Sequence, residues 1–129
     1  MSEAPKGQLL TRTLAMPGDC NANGDIFGGW IMSQLDLAGG ILAKEISGGR
    51  IVTVSVSSIT FKKPVKVGDV VCVYGECTKI GRTSMSIDLA VWVKPVKEHG
   101  VGDRFMVCDA TFNYVAIDAN GKPRPIPQN

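Results

Sequence analysis

The 129-residue sequence contains a single histidine, His99, and lacks the short motifs that commonly mark catalytic or nucleotide-binding sites. It has no G-x-S-x-G turn, which would present a nucleophilic serine, and no H-E-x-x-H helix, which would hold zinc. It also has no G-x-x-x-x-G-K-[ST] phosphate loop. His99 lies in a polar stretch, residues 97–100, that is typical of a surface loop. Any catalysis must therefore depend on other side chains or on backbone groups.

Charge, hydropathy and cysteine spacing exclude several further classes of protein. The formal net charge is only +2 at pH 7, so the sequence offers no strongly basic surface for nucleic acid. No apolar run approaches the roughly 18 residues of a membrane span, and residues 1–8, expected to be flexible, lack the apolar core of a signal peptide. The four cysteines form no C-x-x-C pair, which favours free thiols in a reducing compartment. We expect a cytoplasmic protein with no nucleic-acid partner, no membrane insertion and no metal site.

The chain is long enough for a single domain, residues 1–129, with a substantial core. Its pattern predicts one long helix at about residues 28–46, ended by Gly48 as a left-handed cap. Alternating or β-branched runs predict five strands, at residues 9–15, 51–61, 70–80, 83–93 and 104–117. Most connections are short, which favours antiparallel pairing, and residues 94–103 form a longer loop. The expected class is α+β, with the helix on one face of a curved antiparallel sheet of about five strands.

The predicted strands and helix have distinct apolar faces. In the strand at 83–93 the apolar face consists of Met85, Ile87, Leu89, Val91 and Val93. In the last strand it consists of Met106, Cys108, Ala110, Phe112, Tyr114 and Ala116. The helix has one apolar stripe, made of Ile31, Leu35, Ala38 and Leu42. A second helix face is small or apolar apart from one carboxylate and one hydroxyl, and carries Gly29, Met32, Ser33, Asp36, Gly40 and Ala43. Only the helix tail, with Lys44 and Glu45, is expected to be solvated, so most of the helix should be buried.

The stretch DCNANGD, residues 19–25, resembles the opening of an EF-hand calcium loop. Oxygen-bearing side chains occupy loop positions one, three and five, and Gly24 occupies position six. The twelfth position, where the motif requires a bidentate glutamate, is Trp30. No long helical segment precedes Asp19 either. We therefore favour a polar turn with another use, and an ordinary Asn-Gly turn remains the alternative.

Asp36 is the main catalytic candidate from the pattern, because a carboxylate in the middle of an apolar helix is costly unless it has partners. The helix begins with Gly28 and Gly29, whose bare N–H groups favour negative charge and could hold an oxyanion. Asp36 lies about 10 Å further along the helix axis, too far for one small reacting centre unless it enters from a neighbouring subunit. The alternative is a structural aspartate that pairs with a nearby hydroxyl or amide, or faces solvent.

The stretch AMPGDCNANGDIFGGWIMSQLDLAGGILAKE resembles the acyl-CoA thioesterases of the hot-dog fold, and within them the small bacterial YciA-type enzymes. The shared signature is N-x-x-G-x-x-x-G-G followed by a carboxylate seven residues later. Here it consists of Asn21, Gly24, Gly28, Gly29 and Asp36. The resemblance continues through F-K-K-P-V-x-V-G-D and G-R-T-S and covers the chain from about residue 9 to residue 127. It implies a hot-dog fold, an acyl-CoA thioester hydrolase and a place in fatty acid metabolism.

The resemblance also implies roles for individual residues. Asp36 matches the family's catalytic carboxylate, as a general base on water or as a nucleophile on the thioester. Gly29 would direct its N–H at the thioester oxygen, and Gly28 would contact the substrate beside it. Asn21 matches an asparagine that orients water or the carbonyl group. Thr53 is a further candidate for holding the water, the alternative being a strand residue with no role.

Coenzyme A needs cationic and backbone donors for its phosphates. The first candidate is a tight loop with one cation and two hydroxyls, made of Gly81, Arg82, Thr83 and Ser84. Lys62 and Lys63 are further candidates, although an ordinary solvated strand end is the alternative for them. No metal or redox cofactor is implied, because coenzyme A arrives as part of the acyl-CoA substrate. The family also implies a homo-oligomer: dimers with a continuous sheet, assembled as a trimer of dimers, a homohexamer.

Two other functions fit the fold less well. A non-catalytic acyl-CoA-binding protein would keep the loop at residues 81–84 but would need no carboxylate at Asp36. A hot-dog dehydratase would normally use a histidine on or near the helix, whereas His99 lies far from it in the sequence.

Overall fold

The computed structural model describes residues 4–128 of the protein. The described residues contain one α-helix, α1, which spans Gly28–Ser47. The strands are β1 (Gln8–Leu14), β2 (Ile51–Phe61), β3 (Val70–Ile80), β4 (Ser84–Lys94), β5 (Val96–Lys97), β6 (Gly100–Val101) and β7 (Phe105–Ala116). The predicted helix and the five predicted strands are therefore confirmed, each to within about one residue at its ends.

The five long strands form one antiparallel sheet in the order β1-β3-β4-β7-β2. The connection at residues 94–103, predicted as a loop, also contains the two-residue strands β5 and β6, which pair with each other. Strands this short carry no alternation that a sequence pattern could reveal. The mixture of one helix and one antiparallel sheet is the expected α+β class.

The helix packs its predicted apolar stripe against one face of the sheet. Leu35 and Ala38 are 0% exposed, and Ile31 and Leu42 are also buried. The predicted face of β4 meets them, since its five apolar residues from Met85 to Val93 are all buried. Full burial of one leucine, isoleucine, valine or methionine side chain stabilises the fold by about 1.5–3 kcal/mol. The helix ends as predicted, because Gly48 has a φ of 75° and its N–H donates to the carbonyl of Lys44.

The other side of α1 is apolar but uncovered in the single chain. Met32, Leu37 and Ile41 are 41%, 57% and 38% exposed. The expectation that only the tail of the helix is solvated is therefore wrong for one subunit, because the sheet covers only one side of the helix. These side chains form an apolar surface beside Asp36.

The apolar alternation predicted for the last strand is interrupted near its start. The register between β4 and β7 shifts so that Cys108 lies opposite Val91 while Met106 lies opposite Trp92. Val107, between them, is 1% exposed, whereas Met106 is only half-buried. A β-bulge inserts one residue and reverses the alternation beyond it, which a strict two-residue period cannot predict. The placement of Met106 with the core-facing residues of β7 was therefore wrong.

Strand β2 is an edge of the sheet whose only pairing partner among the described residues is β7. It is also largely exposed, including the apolar side chains of Val52, Val54 and Val56. An edge strand of this length presents a row of unpaired N–H and C=O groups to which another strand can pair.

The residues after β7 return across the end of the helix. The guanidinium of Arg124 donates to the carbonyl oxygens of Ser47 and Arg50, at 3.0 and 3.3 Å. Ile126 is buried, and its N–H donates to the carbonyl oxygen of Arg82 at 2.8 Å. This segment therefore ties the end of α1 to the loop between β3 and β4.

Within residues 4–128, no helix is both long enough and apolar enough to cross a membrane. Of the eight N-terminal residues predicted to be flexible, residues 1–3 lie outside the described residues. Gly7 has a φ of 82° and lies against β3, where a Cβ would come within 2.3 Å of the carbonyl oxygen of Gly75. The flexibility of this segment stays a prediction.

Candidate active site

Asp36 lies on the third turn of α1 and accepts hydrogen bonds from two hydroxyl groups of the sheet. The Thr53 hydroxyl, on β2, donates to Oδ1 of Asp36 at 2.6 Å. The Tyr114 hydroxyl, on β7, lies 3.2 Å from the same Oδ1 and 3.2 Å from the main-chain oxygen of Asp36. The carboxylate itself is only half-buried. It is therefore fixed on one side by the sheet and open on the other.

Tyr114 is fully buried, and its phenol stays protonated. Burial, and after it the neighbouring Asp36 carboxylate, raise the pKa of Tyr114 far above its ordinary value. The Asp36 carboxylate and main-chain carbonyl carry no proton to give, so the protonated phenol is the hydrogen-bond donor to Asp36. The alternation of β7 predicts that Tyr114 lies in the core, but it does not connect Tyr114 with Asp36. The available signal was a lone hydroxyl on an otherwise apolar strand face.

Gly39 makes room for this phenol. A Cβ on Gly39 would lie 2.3 Å from the Tyr114 hydroxyl oxygen and 3.1 Å from Cδ1 of Leu89. The next residue, Gly40, is under no such constraint from residues 4–128, because its Cβ would meet Ile51 at an ordinary 3.8 Å. An interior glycine costs a helix about 1 kcal/mol relative to alanine. At Gly39, that cost allows the close approach of Tyr114 to the helix.

The N-terminus of α1 is open. Its capping residue, Phe27, makes no side-chain capping bond, and the N–H groups of Gly28 and Gly29 have no backbone acceptor among residues 4–128. A Cβ on Gly29 would meet no atom within 4 Å in this part of the chain. Free N–H groups at a helix start attract negative charge and can approach a carbonyl oxygen closely.

Asn21 shapes the loop that precedes the helix. Its side-chain Oδ1 accepts hydrogen bonds from the backbone N–H groups of Asn23 and Asp25, at 2.9 and 3.2 Å. Gly24 completes the turn with a φ of 82°. The carboxylate of Asp25 pairs with Lys66. Because backbone donors occupy Oδ1, the Nδ2 amide is the part of Asn21 left to bind something else.

A small cleft of about 370 Å³ lies beside the helix N-terminus. Gly28 forms part of its wall, and the ring of Phe61 lies 3.6 Å from the position a Gly28 Cβ would take. The apolar part of the lining consists of Ile26, Ile31, Phe61, Pro64, Val65 and Val107. Its charged lining residues are Asp25, whose carboxylate pairs with Lys66, and the two lysines Lys62 and Lys63.

The two lysines already have partners. Lys62 pairs with Asp109 at 3.1 Å, with both side chains substantially exposed, and the Lys63 ammonium lies 5.0 Å from the centroid of the Phe105 ring. Exposed pairs of this kind are weak, about 0–1 kcal/mol, so a phosphate can compete for the lysine.

The loop at residues 81–84 is a tight turn held from two sides. The N–H of Gly81 donates to the carbonyl of Ser84 at 2.7 Å, and the N–H of Ala116 donates to the carbonyl of Thr83 at 2.9 Å. The Arg82 side chain is exposed. Strand β7 gives a common scale for the two positions. Ser84 of the loop lies opposite Val115, whereas Phe61, the residue before Lys62, lies opposite Cys108. Seven strand residues separate the two positions, about 23 Å, so one subunit does not bring the loop and the lysines together.

Comparison with known proteins identifies the family. Residues 23–98 match the model of the thioesterase superfamily, which is more than half of the chain. The chain belongs to the thioesterase superfamily. Within residues 4–128, this thioesterase-superfamily chain has no group of three histidine, cysteine, aspartate or glutamate side chains placed to hold a metal ion.

Relatives of known name span nearly the whole chain. An uncharacterized acyl-CoA thioester hydrolase of Haemophilus influenzae is 62% identical over 123 residues, covering 95% of this chain and 80% of that protein. The acyl-CoA thioester hydrolase YciA of Escherichia coli K12 is 58% identical over 123 residues, covering 95% of this chain and 93% of that protein.

Solved structures of superfamily members share the fold. The crystal structure of HI0827, a hexameric broad specificity acyl-coenzyme A thioesterase, is 60% identical with a TM-score of 0.91, covering 98% of this chain and 86% of that one. Cj0915 of Campylobacter jejuni, a hexameric hotdog fold thioesterase, is 40% identical with a TM-score of 0.89, covering 94% and 91% of the two chains. The predicted hot-dog fold and the resemblance stated from the sequence are confirmed.

Proposed function

We propose that the protein hydrolyses acyl-CoA thioesters to a free carboxylic acid and coenzyme A. The observation that carries the proposal is the half-buried carboxylate of Asp36, held by two hydroxyls on a helix whose N-terminal N–H groups are open. The names of the relatives from H. influenzae and E. coli support it. A crystal structure of HI0827 with one aspartate replaced by alanine also supports a role for an aspartate, since that residue type was chosen for substitution in that enzyme.

In this reaction a water oxygen becomes bonded to the thioester carbon and the carbon–sulfur bond breaks. Asp36 takes the proton of the water, and the departing sulfur receives a proton. In the nucleophilic alternative, Asp36 itself attacks the carbon and water then hydrolyses the resulting anhydride. Both routes place negative charge on the thioester oxygen. The N–H of Gly29 would stabilise that charge, an effect of about 2.7–4 kcal/mol for one good donor.

Asn21 would provide the second donor. Its Oδ1 is engaged within the loop, so we assign its Nδ2 to the thioester oxygen and not to the acceptance of a proton from water. Thr53 already donates to Asp36, so its hydroxyl would orient the carboxylate. It would hold the water, as predicted from the sequence, by accepting a hydrogen bond through the lone pairs of its oxygen.

The site would be completed by two subunits. Asp36 contacts Thr53, near the start of β2, whereas Gly28 lies beside Phe61, at the end of β2. If two copies pair along their open β2 edges in antiparallel fashion, the end of β2 in one copy lies beside the start of β2 in the other. The open helix N-terminus of one subunit then approaches the partner's Asp36.

The same pairing brings the phosphate-binding candidates together. Lys62 and Lys63 follow the end of β2, and the loop at residues 81–84 lies beyond its start, so the lysines of one subunit approach the partner's Arg82. We propose that this combined surface binds the coenzyme A phosphates through Gly81, Arg82, Thr83 and Ser84 with the two lysines. Coenzyme A enters as part of the substrate, and the mechanism uses no other cofactor.

The exposed apolar side chains of β2 and α1 support a homo-oligomer. HI0827 and Cj0915 are hexameric, and we propose a hexamer for this chain as well, built as a trimer of dimers. We further propose a cytoplasmic location, which is supported by the four free cysteine thiols. The acyl chain would enter the apolar cleft beside Phe61.

Thiol release from a panel of acyl-CoAs, short to long, tests this function. Wild type should release coenzyme A, and Asp36→Asn should not, while its oligomeric state is unchanged. Asp88→Asn is the matched control, because Asp88 also accepts a hydroxyl bond, from Thr111 at 2.8 Å, but lies on the opposite face of the sheet. Binding of coenzyme A without any release would instead identify a non-catalytic acyl-CoA-binding protein.

A further inference from the structure

We infer that Tyr114 is a positioning residue that, with Thr53, holds Asp36 so that its Oδ2 oxygen faces the reacting atoms. This inference rests on the proposed function and adds to it a residue and an assignment of the two carboxylate oxygens. Its basis is the hydrogen bonding around Asp36 together with the space left at Gly39.

The two oxygens of the Asp36 carboxylate are in different environments. Both sheet hydroxyls, from Thr53 and Tyr114, donate to Oδ1. Among residues 4–128, no group donates to Oδ2. A carboxylate oxygen with two donors is a weaker base and nucleophile than one with none, because each donor withdraws charge from it. Oδ2 is therefore the oxygen that takes the proton from water or attacks the thioester.

Tyr114 restrains both the side chain and the backbone of Asp36. Its hydroxyl lies within reach of Oδ1 and of the main-chain oxygen, each at 3.2 Å. A buried phenol needs a hydrogen-bond partner in any case, and a helix carbonyl would serve. The contact with Oδ1 goes beyond that need, because it fixes the side-chain rotation that sets where Oδ2 lies.

The helix sequence is adapted to this contact. A side chain at Gly39 would overlap the phenol hydroxyl, since a Cβ there lies 2.3 Å from it. A phenylalanine at position 114 would fill the same core space without the hydroxyl. The combination of Gly39 and Tyr114 thus admits one polar group to an apolar interface, directly beneath the catalytic carboxylate.

Tyr114→Phe tests the inference, with kcat and KM measured on an acyl-CoA that wild type hydrolyses. We expect kcat to fall about 10- to 100-fold, as for loss of a hydrogen bond to a charged group, while KM changes less than about twofold. Tyr74→Phe is the matched control: it makes the same chemical change on β3, where Tyr74 lies on the face of the sheet opposite the helix. Its kcat should equal that of wild type.

Crystal structures of wild type and Tyr114→Phe give a second readout that does not depend on turnover. We expect the Asp36 side chain to leave its wild-type rotation in the variant while the helix stays in place. An unchanged kcat in Tyr114→Phe, with Asp36→Asn inactive, would overturn the positioning role and leave the proposed function intact. Absence of thiol release by wild type would overturn the proposed function. The positioning role has its own test in that case, because an Asp36 side chain that keeps its wild-type rotation in the Tyr114→Phe structure would overturn it.

Discussion

The Thr53 hydroxyl donates to Oδ1 of Asp36 at 2.6 Å, which joins the strand after the helix to a carboxylate in the middle of that helix. This bond predicts the behaviour of Thr53→Val, which keeps the shape of the side chain and removes the donor. We expect kcat to fall at least about tenfold with a small change in KM, because a hydrogen bond to a charged group is worth about 1.5–3 kcal/mol. Steady-state thiol release measures both constants.

Thr53→Ser is the control for that change, since serine restores the donor. It should recover most of the activity lost in Thr53→Val. Equal losses in the two variants would mean that the methyl group, and not the hydroxyl, is what the site requires.

The hydrogen bonds of Asn21 predict different outcomes for two substitutions. Asn21→Asp keeps an oxygen for the N–H groups of Asn23 and Asp25 but loses the Nδ2 donor. We expect kcat to fall about 100- to 1,000-fold, as for loss of one oxyanion donor, with little change in thermal stability. Asn21→Ala should lose the same activity and also loosen the loop, which hydrogen exchange of residues 21–25 would detect. A near-normal rate in Asn21→Asp would return this loop to a purely structural role.

Arg82 is predicted to bind the nucleotide half of the substrate. Arg82→Ala should raise KM for acyl-CoA about tenfold or more, since one charge-assisted phosphate contact is lost. A short thioester that lacks the nucleotide should be hydrolysed as well as by wild type. Arg12→Ala, on the far edge strand β1, should affect neither substrate. The same loss on both substrates would exclude a phosphate role for Arg82.

The sequence was sufficient to predict the fold because its signals are local. The apolar stripe of the helix and the alternation in β4 each repeat over several turns or residue pairs, and Gly48 marks the helix end. The bulge at Val107 was not predictable from alternation, because it changes the register only relative to the neighbouring strand. The short hairpin of β5 and β6 left no pattern.

The site was only partly predictable for a related reason. Asp36 and the open glycines lie on one helix, so their spacing could be read directly from the sequence. Tyr114 lies 78 residues from Asp36, and only the packing of β7 against the helix shows that they touch. The hydrogen bonds from backbone N–H groups to Oδ1 of Asn21 depend on the conformation of the turn, which residue types alone do not specify. The catalytic and binding roles themselves stay predictions.

Cys108 predicts a specific loss of stability in alkali. Burial, followed by the neighbouring Asp109 carboxylate, raises the pKa of Cys108 to about 11, from 9.0. The thiol therefore ionises more readily in the unfolded chain than in the folded one, so its contribution to stability is intact below pH 9 and is lost as the pH rises toward 11. We expect the free energy of unfolding to fall by about 2 kcal/mol from this group by about pH 11.

Denaturant unfolding of wild type and Cys108→Ala over this pH range measures that loss. The variant lacks the ionisable group, so its stability should fall less steeply, although it is less stable at neutral pH because of the space left in the core. Parallel pH dependences for the two proteins would contradict the assignment to Cys108.

The long separation between Asp36 and Tyr114 also has a consequence for synthesis on the ribosome. At about 5–20 residues per second, the helix, which ends at Ser47, is complete roughly 3–13 s before Tyr114 is added. Gly39, which admits the phenol, and the neighbouring Gly40 make the isolated helix weak, so it gains a stable position only when the later strands are present. Asp36 receives its second hydroxyl from the last long strand to be made. The Asp36 carboxylate is therefore among the last parts of a new subunit to reach its final geometry.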